Sequence, residues 1–170
     1  MDMLILLSLA AMPALMIVGG LHDLTTMKIP NWVSLALLAA FLPAALLAGL
    51  SWTAFAIHLA VGLAVLFVGA GLFALRWVGG GDAKLMAGAA LWLGPGALLP
   101  FLVFVALAGG VFCLLLMSAR TWCQPYAASA PGWAARLIQP KGDVPYGVAI
   151  AIGAVLAFPS SALVLAYAAG

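Results

Sequence analysis

Long apolar runs separated by short polar segments organise this chain. A membrane-crossing helix needs about 20 consecutive apolar residues. The first run is Met3–Gly20, closed by Gly19-Gly20, and a polar segment from His22 to Asn31 follows. The second is Trp32–Gly49, with a tight turn over Leu50–Trp52, and the third is Thr53–Leu75. After Arg76-Trp77-Val78-Gly79-Gly80-Gly81-Asp82 the chain is apolar from Ala83 to Ala119, with Lys84 its only charge. That stretch exceeds one crossing, and Gly94-Pro95-Gly96 is where it should turn. It divides into a fourth span, Ala83–Leu93 or on to Leu98, and a fifth, Leu99–Ser118. Residues 83–93 alone rise only about 16 Å, so the fourth span either runs past Gly94 or crosses a thinned bilayer. Arg120–Val144 is the longest polar loop, in which Gly132–Ile138 could lie on the membrane surface. The sixth span is Pro145–Ala168, with a kink expected at Pro159.

Composition supports the same picture. Of 170 residues, 68% are hydrophobic and only 6% charged, where soluble domains carry about 25% charged residues. So few charges cannot cover a globule in water. This excludes a soluble enzyme, a disordered protein and a nucleic-acid binder. The expected fold is an all-α integral membrane protein, one polytopic domain over 1–170, because helices satisfy their own backbone groups in lipid. The net charge of +2 is too small to imply a polyanionic partner. Its placement says more. Lys28 lies in the first loop, Arg76 and Lys84 flank the third, and Arg120, Arg136 and Lys141 lie in the fifth. All six fall on one side of a six-span bundle, which should be the cytoplasm, leaving both termini outside. Asp2 replaces the basic start of a signal peptide, so the first run reads as a retained span. Cys113 and Cys123 form no CxxC and no Cys/His cluster, so neither a disulfide framework nor a metal site is expected.

The four acids are Asp2, Asp23, Asp82 and Asp143. The last three sit at the cytoplasmic ends of spans, and acids at membrane depth are functional candidates by default. Asp82 follows Gly79-Gly80-Gly81 and opens a helix, either as a simple N-cap or as a carboxylate that glycines leave open to close approach. Asp23 precedes Lys28-Ile29-Pro30-Asn31, where Pro30 and Asn31 should start the second span with Asn31 as a cap. Asp23 could pair with Lys28, and Asp143 with Lys141, as weak surface ion pairs.

Taken together, Asp23 and Asp82 suggest more, since spans one and four both end on the cytoplasmic face. Two carboxylates sharing a low-dielectric site cannot both ionise easily. The charged one activates a water and the protonated one donates to the scissile carbonyl oxygen, the chemistry of an aspartic-protease pair. Other schemes have less support. His58 belongs near the outward end of span three, in a packed or interfacial role. His22 adjoins Asp23 and could tune it. There is no G-x-S-x-G elbow and no HExxH zinc motif.

These residues resemble the bacterial type IV prepilin peptidases, polytopic aspartic proteases of the GxGD type. The matching motifs are Asp23…Lys28-Ile29-Pro30-Asn31, then Gly79-Gly80-Gly81-Asp82-Ala83-Lys84-Leu85, then Val144-Pro145-Tyr146-Gly147. The resemblance implies that Asp23 and Asp82 are catalytic and that Gly79 and Gly81 are the motif glycines. It implies a supporting role near the site for Pro145, Tyr146 and Gly147. Lys28 stands where many relatives carry arginine. The first loop, His22–Asn31, has no room for the CxxC-bearing methylating segment of long family members. The chain therefore resembles the short, peptidase-only form associated with tight-adherence (Flp-type) pili. The implied partners are prepilins or pseudopilins in the bacterial cytoplasmic membrane, cut after a leader glycine without metal or other cofactor. A basic rim of Lys28 and Lys84 should then affect substrate affinity more than chemistry.

Two other classes compete. A proton-coupled or small-solute transporter would also carry membrane aspartates, but such sites usually lie at the midplane between repeated halves, and no internal repeat is visible here. A non-catalytic subunit of a pilus or secretion machine would tolerate loss of both aspartates.

Overall fold

The computed structural model describes residues 2–127 and 129–169. Ala128 of the polar loop and the terminal residues Met1 and Gly170, to which the sequence reading assigns a side of the membrane, lie outside them. The described chain is helical: α1 (Asp2–Thr26), α2 (Asn31–Leu47), α3 (Trp52–Ala74), α4 (Gly80–Trp122), α5 (Gly132–Leu137), α6 (Gly147–Ala157) and α7 (Ala162–Ala169), with short 3-10 turns at Gln124–Tyr126 and Phe158–Ser160. Four segments are long and apolar enough to cross a membrane: Asp2–Thr26, Trp52–Ala74, Gly80–Trp122 and Gly147–Ala168. Asn31–Leu47 is apolar but shorter. The chain is thus a multi-pass membrane protein by the length and composition of its helices.

Breaks in the helices fall where backbone chemistry demands them. α4 is interrupted at Gly94, whose φ of 65° and ψ of −173° are closed to most residues. The following Pro95 has no N–H, which leaves the carbonyl of Leu91 without its helical partner. His58 of α3 fills that vacancy, its Nδ1 donating to Leu91 O at 2.8 Å. The ring of His58 lies against Gly94, where a Cβ would sit 2.5 Å from its Cε1. His58 is therefore buried and packed, as its position on span three suggested. The expected kink at Pro159 is the 3-10 turn Phe158–Ser160, after which extended Ser161 restarts the helix as α7.

α1 departs from the expected boundary. It runs on through Gly19-Gly20 to Thr26, and so carries Asp23 inside its last turns instead of beyond its end. The two glycines are contact points. A Cβ on Gly19 would meet Leu85 and Val33 at 3.2 and 3.4 Å, and one on Gly20 would meet Ala151 at 3.0 Å. Small residues at such positions let membrane helices approach closely. The same device seats α3 on the first arm of α4, Gly69 against Ala83 and Gly62 against Leu91. It also seats α6 on the second arm, Gly153 against Val105.

The core lies between α1, α2, α4 and α6, around Met12, Met16, Leu37, Phe41, Leu85, Trp92, Phe101 and Ile150. Trp92 satisfies its indole N–H on Leu37 O at 2.9 Å, as a buried tryptophan must. α3 lies at the flank, and much of its apolar surface is exposed, including Leu63, Phe67, Val68 and Phe73.

Candidate active site

The site lies where four segments converge: the last turns of α1, the link to α2, the first turn of α4 and the start of α6. Two of these segments follow strained residues. Met27 and Arg76 hold φ of 56° and 61°, a left-handed conformation costing about 1–3 kcal/mol for a residue with a side chain. Arg76 closes α3 by a Schellman-type pair of bonds, Arg76 N to Phe73 O and Trp77 N to Leu72 O. α2 ends the same way at Gly49, φ 70°. These sharp reversals turn the chain directly into Lys28–Asn31 and Gly79–Asp82.

The cap of α4 is Gly79, extended at φ −67° and ψ 142°. Asp82 is therefore in the first turn of the helix and not its cap, which corrects the simplest expectation. A carboxylate in that turn is favoured by the helix dipole. Each glycine of the run faces a different neighbour. A Cβ on Gly79 would sit 2.7 Å from Asp82 Oδ2, one on Gly80 3.3 Å from the Phe73 ring, and one on Gly81 3.0 Å from Ile29 Cβ.

Asp23 and Asp82 line one cavity of about 330 Å³, with Met27, Lys28, Ile29, Gly79, Gly80 and Gly81. Asp23 is buried, 7% exposed. Its partner is not Lys28 but the backbone of α6: Gly147 N–H donates to Asp23 Oδ2 at 2.7 Å. Gly147 has no room for a side chain, since a Cβ would lie 2.9 Å from Asp23 Cβ, Asp23 Oδ2 and Ile29 Cδ1 alike. Among the described residues no three His, Cys, Asp or Glu side chains gather as a metal-binding group.

Not every residue of the motifs reaches this cavity. Pro30 and Asn31 line a neighbouring depression with His22, Thr26, Lys28, Ile29 and Trp32. Pro30 is the cap of α2. Asn31 is no cap; its Oδ1 accepts from Lys84 Nζ at 2.9 Å and ties α2 to α4. His22 packs edge-on to Trp32, their ring centroids 6.3 Å apart. Tyr146 packs on α4 at Gly109, where a Cβ would collide with its phenol oxygen. Asp143 is exposed; its backbone carbonyl accepts from Arg120. Sequence reasoning quoted Ile29 only as part of a motif, without a place in the cavity wall, and missed Met27 in that wall, Gly109 under Tyr146, and the contacts of Arg120.

The model of the type IV leader peptidase family matches residues 10–114. The match covers more than half of the chain and includes both cavity aspartates and the glycine run. No curated protein and no solved structure matches. The chain belongs to the type IV leader peptidase family and is a peptidase on that ground.

Proposed function

We propose that this member of the type IV leader peptidase family is a GxGD-type aspartic endopeptidase. It removes the short leader of type IV prepilins or pseudopilins, after a glycine, at the cytoplasmic face of the bacterial inner membrane. The observation that carries this reading is the single cavity shared by Asp23 and Asp82, from helices far apart in sequence. In the proposed mechanism the pair holds one proton between two carboxylates. The ionised aspartate takes a proton from water as that water attacks the scissile carbonyl. The protonated aspartate donates to the carbonyl oxygen, and the proton reaches the leaving amine as the tetrahedral intermediate collapses. Only the singly protonated pair is competent, so cleavage should be bell-shaped in pH, with both limbs belonging to the pair.

Met27, Lys28, Ile29 and the glycine run form the rest of the cavity wall, and the bare glycines let Asp82, Phe73 and Ile29 pack closely against that run. The topology that goes with this reading has six passes, the chain turning back at Gly94, and both termini outside. The reading extends to the short, Flp-type form without a methylating segment, which the family resemblance implies and the brevity of the His22–Asn31 link supports.

The test is cleavage of a short-leader prepilin by the purified protein in lipid, beside Asp23→Asn and Asp82→Asn. Cleavage by wild type, lost in both folded variants, supports the reading. Unchanged cleavage by either variant refutes it.

A further inference from the structure

Arg120, near the end of α4, makes three hydrogen bonds, and all three go to backbone carbonyls of the loop that returns to the site. Its Nε donates to Leu137 O at 2.8 Å. Its Nη2 donates to Gly142 O and to Asp143 O, both at 2.8 Å. Arg120 is half-buried, and no carboxylate side chain is among these partners. Gly142 fits closely around it, since a Cβ there would lie 3.2 Å from Nη2 and 3.0 Å from Arg136 O. Gln124 adds a parallel tie, Nε2 to Ile138 O at 2.6 Å.

What this clamp holds matters. Val144 and Pro145 directly follow the clamped carbonyls of Gly142 and Asp143, and Tyr146 and Gly147 come next. Pro145 and Gly147 are buried, and the Gly147 N–H is the donor to Asp23 Oδ2. A planar guanidinium can fix several acceptors at once in a set geometry, where a lysine ammonium on its flexible stem cannot. α5 supplies the other anchor: its buried last residue, Leu137, carries the carbonyl that Arg120 Nε meets.

We infer that Arg120 is a positioning residue. It sets the register of residues 142–147, and through the Gly147 amide it sets the orientation of the Asp23 carboxylate. The inference rests on the peptidase reading for its effect on turnover. The mechanical link from Arg120 to Gly147 stands apart from that reading.

The experiment uses the full chain in lipid, as wild type, Arg120→Lys, Arg120→Gln and Arg120→Ala. Two quantities are read: steady-state cleavage of a short-leader prepilin, and backbone hydrogen exchange of the peptide spanning residues 144–150. A misplacement of the order of 1 Å at a reacting group costs about 10²-fold. The expected result is therefore a kcat lowered about 10- to 100-fold in Arg120→Gln, with KM within about twofold of wild type. Exchange around Gly147 should rise in the same variant. Arg120→Lys should recover little, because one ammonium cannot span the three carbonyls. Added guanidinium ion should partly restore Arg120→Ala in both readouts.

Wild-type turnover in Arg120→Gln overturns the inference. So does lowered turnover with unchanged protection at Gly147, or restoration by lysine as full as by guanidinium. If wild type itself cuts no prepilin, the functional reading fails, and the exchange comparison still decides whether Arg120 holds Gly147. If Arg120→Gln unfolds, guanidinium rescue of Arg120→Ala and the exchange of Arg120→Lys carry the same decision.

Discussion

The two aspartates of the cavity are held in opposite ways. Asp23 is fixed by tertiary structure: its hydrogen-bond donor lies 124 positions away, and Gly147 meets both its Cβ and its Oδ2 at closest approach. Asp82 is fixed locally. It is half-buried, stands in the first turn of its own helix, and faces Gly79 three residues back. One carboxylate therefore exists in its place only when α1 and α6 are assembled, while the other keeps its place through a turn that its own segment encodes. The difference divides the site into a rigid half and an adjustable half.

The largest expected effects come from removing the acids. Asp23→Asn and Asp82→Asn should each lower cleavage by about 10²–10⁴-fold, the usual contribution of a positioned acid or base. Stability is where the halves should separate. Asp23→Ala leaves a buried N–H of Gly147 without its acceptor, a loss of about 1–3 kcal/mol. Asp82→Ala strands no such tertiary donor and should unfold close to wild type. Denaturation of both variants in the same detergent checks this, and equal losses would remove the distinction.

A smaller pair of changes sharpens it further. Gly147→Ala places a methyl 2.9 Å from Asp23 Cβ and from Ile29 Cδ1. The Asp23 Cβ is tied to its backbone, so the helices must part, at about 1–3 kcal/mol for overpacking. Gly79→Ala meets only the Oδ2 tip of Asp82, at 2.7 Å. That side chain can rotate away, so the cost should fall on turnover with the melting temperature nearly unchanged. Thermal unfolding and kcat, measured on both variants, should place Gly147→Ala low in both and Gly79→Ala low in kcat alone.

The same division explains what the sequence could reveal. The local half was legible: the glycine run before Asp82, the break at Gly94, the kink at Pro159 and the short helix beginning at Gly132 all follow from residues adjacent in the chain. Even the partner of His58 was in principle readable, since Pro95 must strand the carbonyl four residues before it. The tertiary half was not. Gly19-Gly20 reads as a terminator until Leu85, Val33 and Ala151 are seen to need the space. Asn31 reads as a cap until Lys84 takes its side chain. The family resemblance put Gly147 near the site, but its role there is that of a backbone N–H donor to Asp23, a group every residue except proline carries, so no side chain announces it. Arg120 looked like one more cytoplasmic charge, because carbonyl acceptors leave no complementary residue to notice.

The two lysines of the motifs offer the smallest test, and the structure separates what the sequence grouped. Lys28 lines the cavity of the two acids, whereas Lys84 turns to Asn31 on the other side of its helix and lines no part of that cavity. A basic leader approaching the cavity should be repelled mildly by Lys28 and hardly at all by Lys84. Solvent-exposed charge interactions are worth about 0.2–1 kcal/mol. Lys28→Gln should therefore lower KM for a basic-leader substrate by about two- to threefold with kcat unchanged. The gain should fade at high salt, where such charges are screened. Lys84→Gln should leave KM within error and weaken the α2–α4 tie by about 0.5–1.5 kcal/mol. Equal KM shifts in the two variants would show that substrate meets the whole basic rim, and that the Lys84–Asn31 bond opens when it arrives.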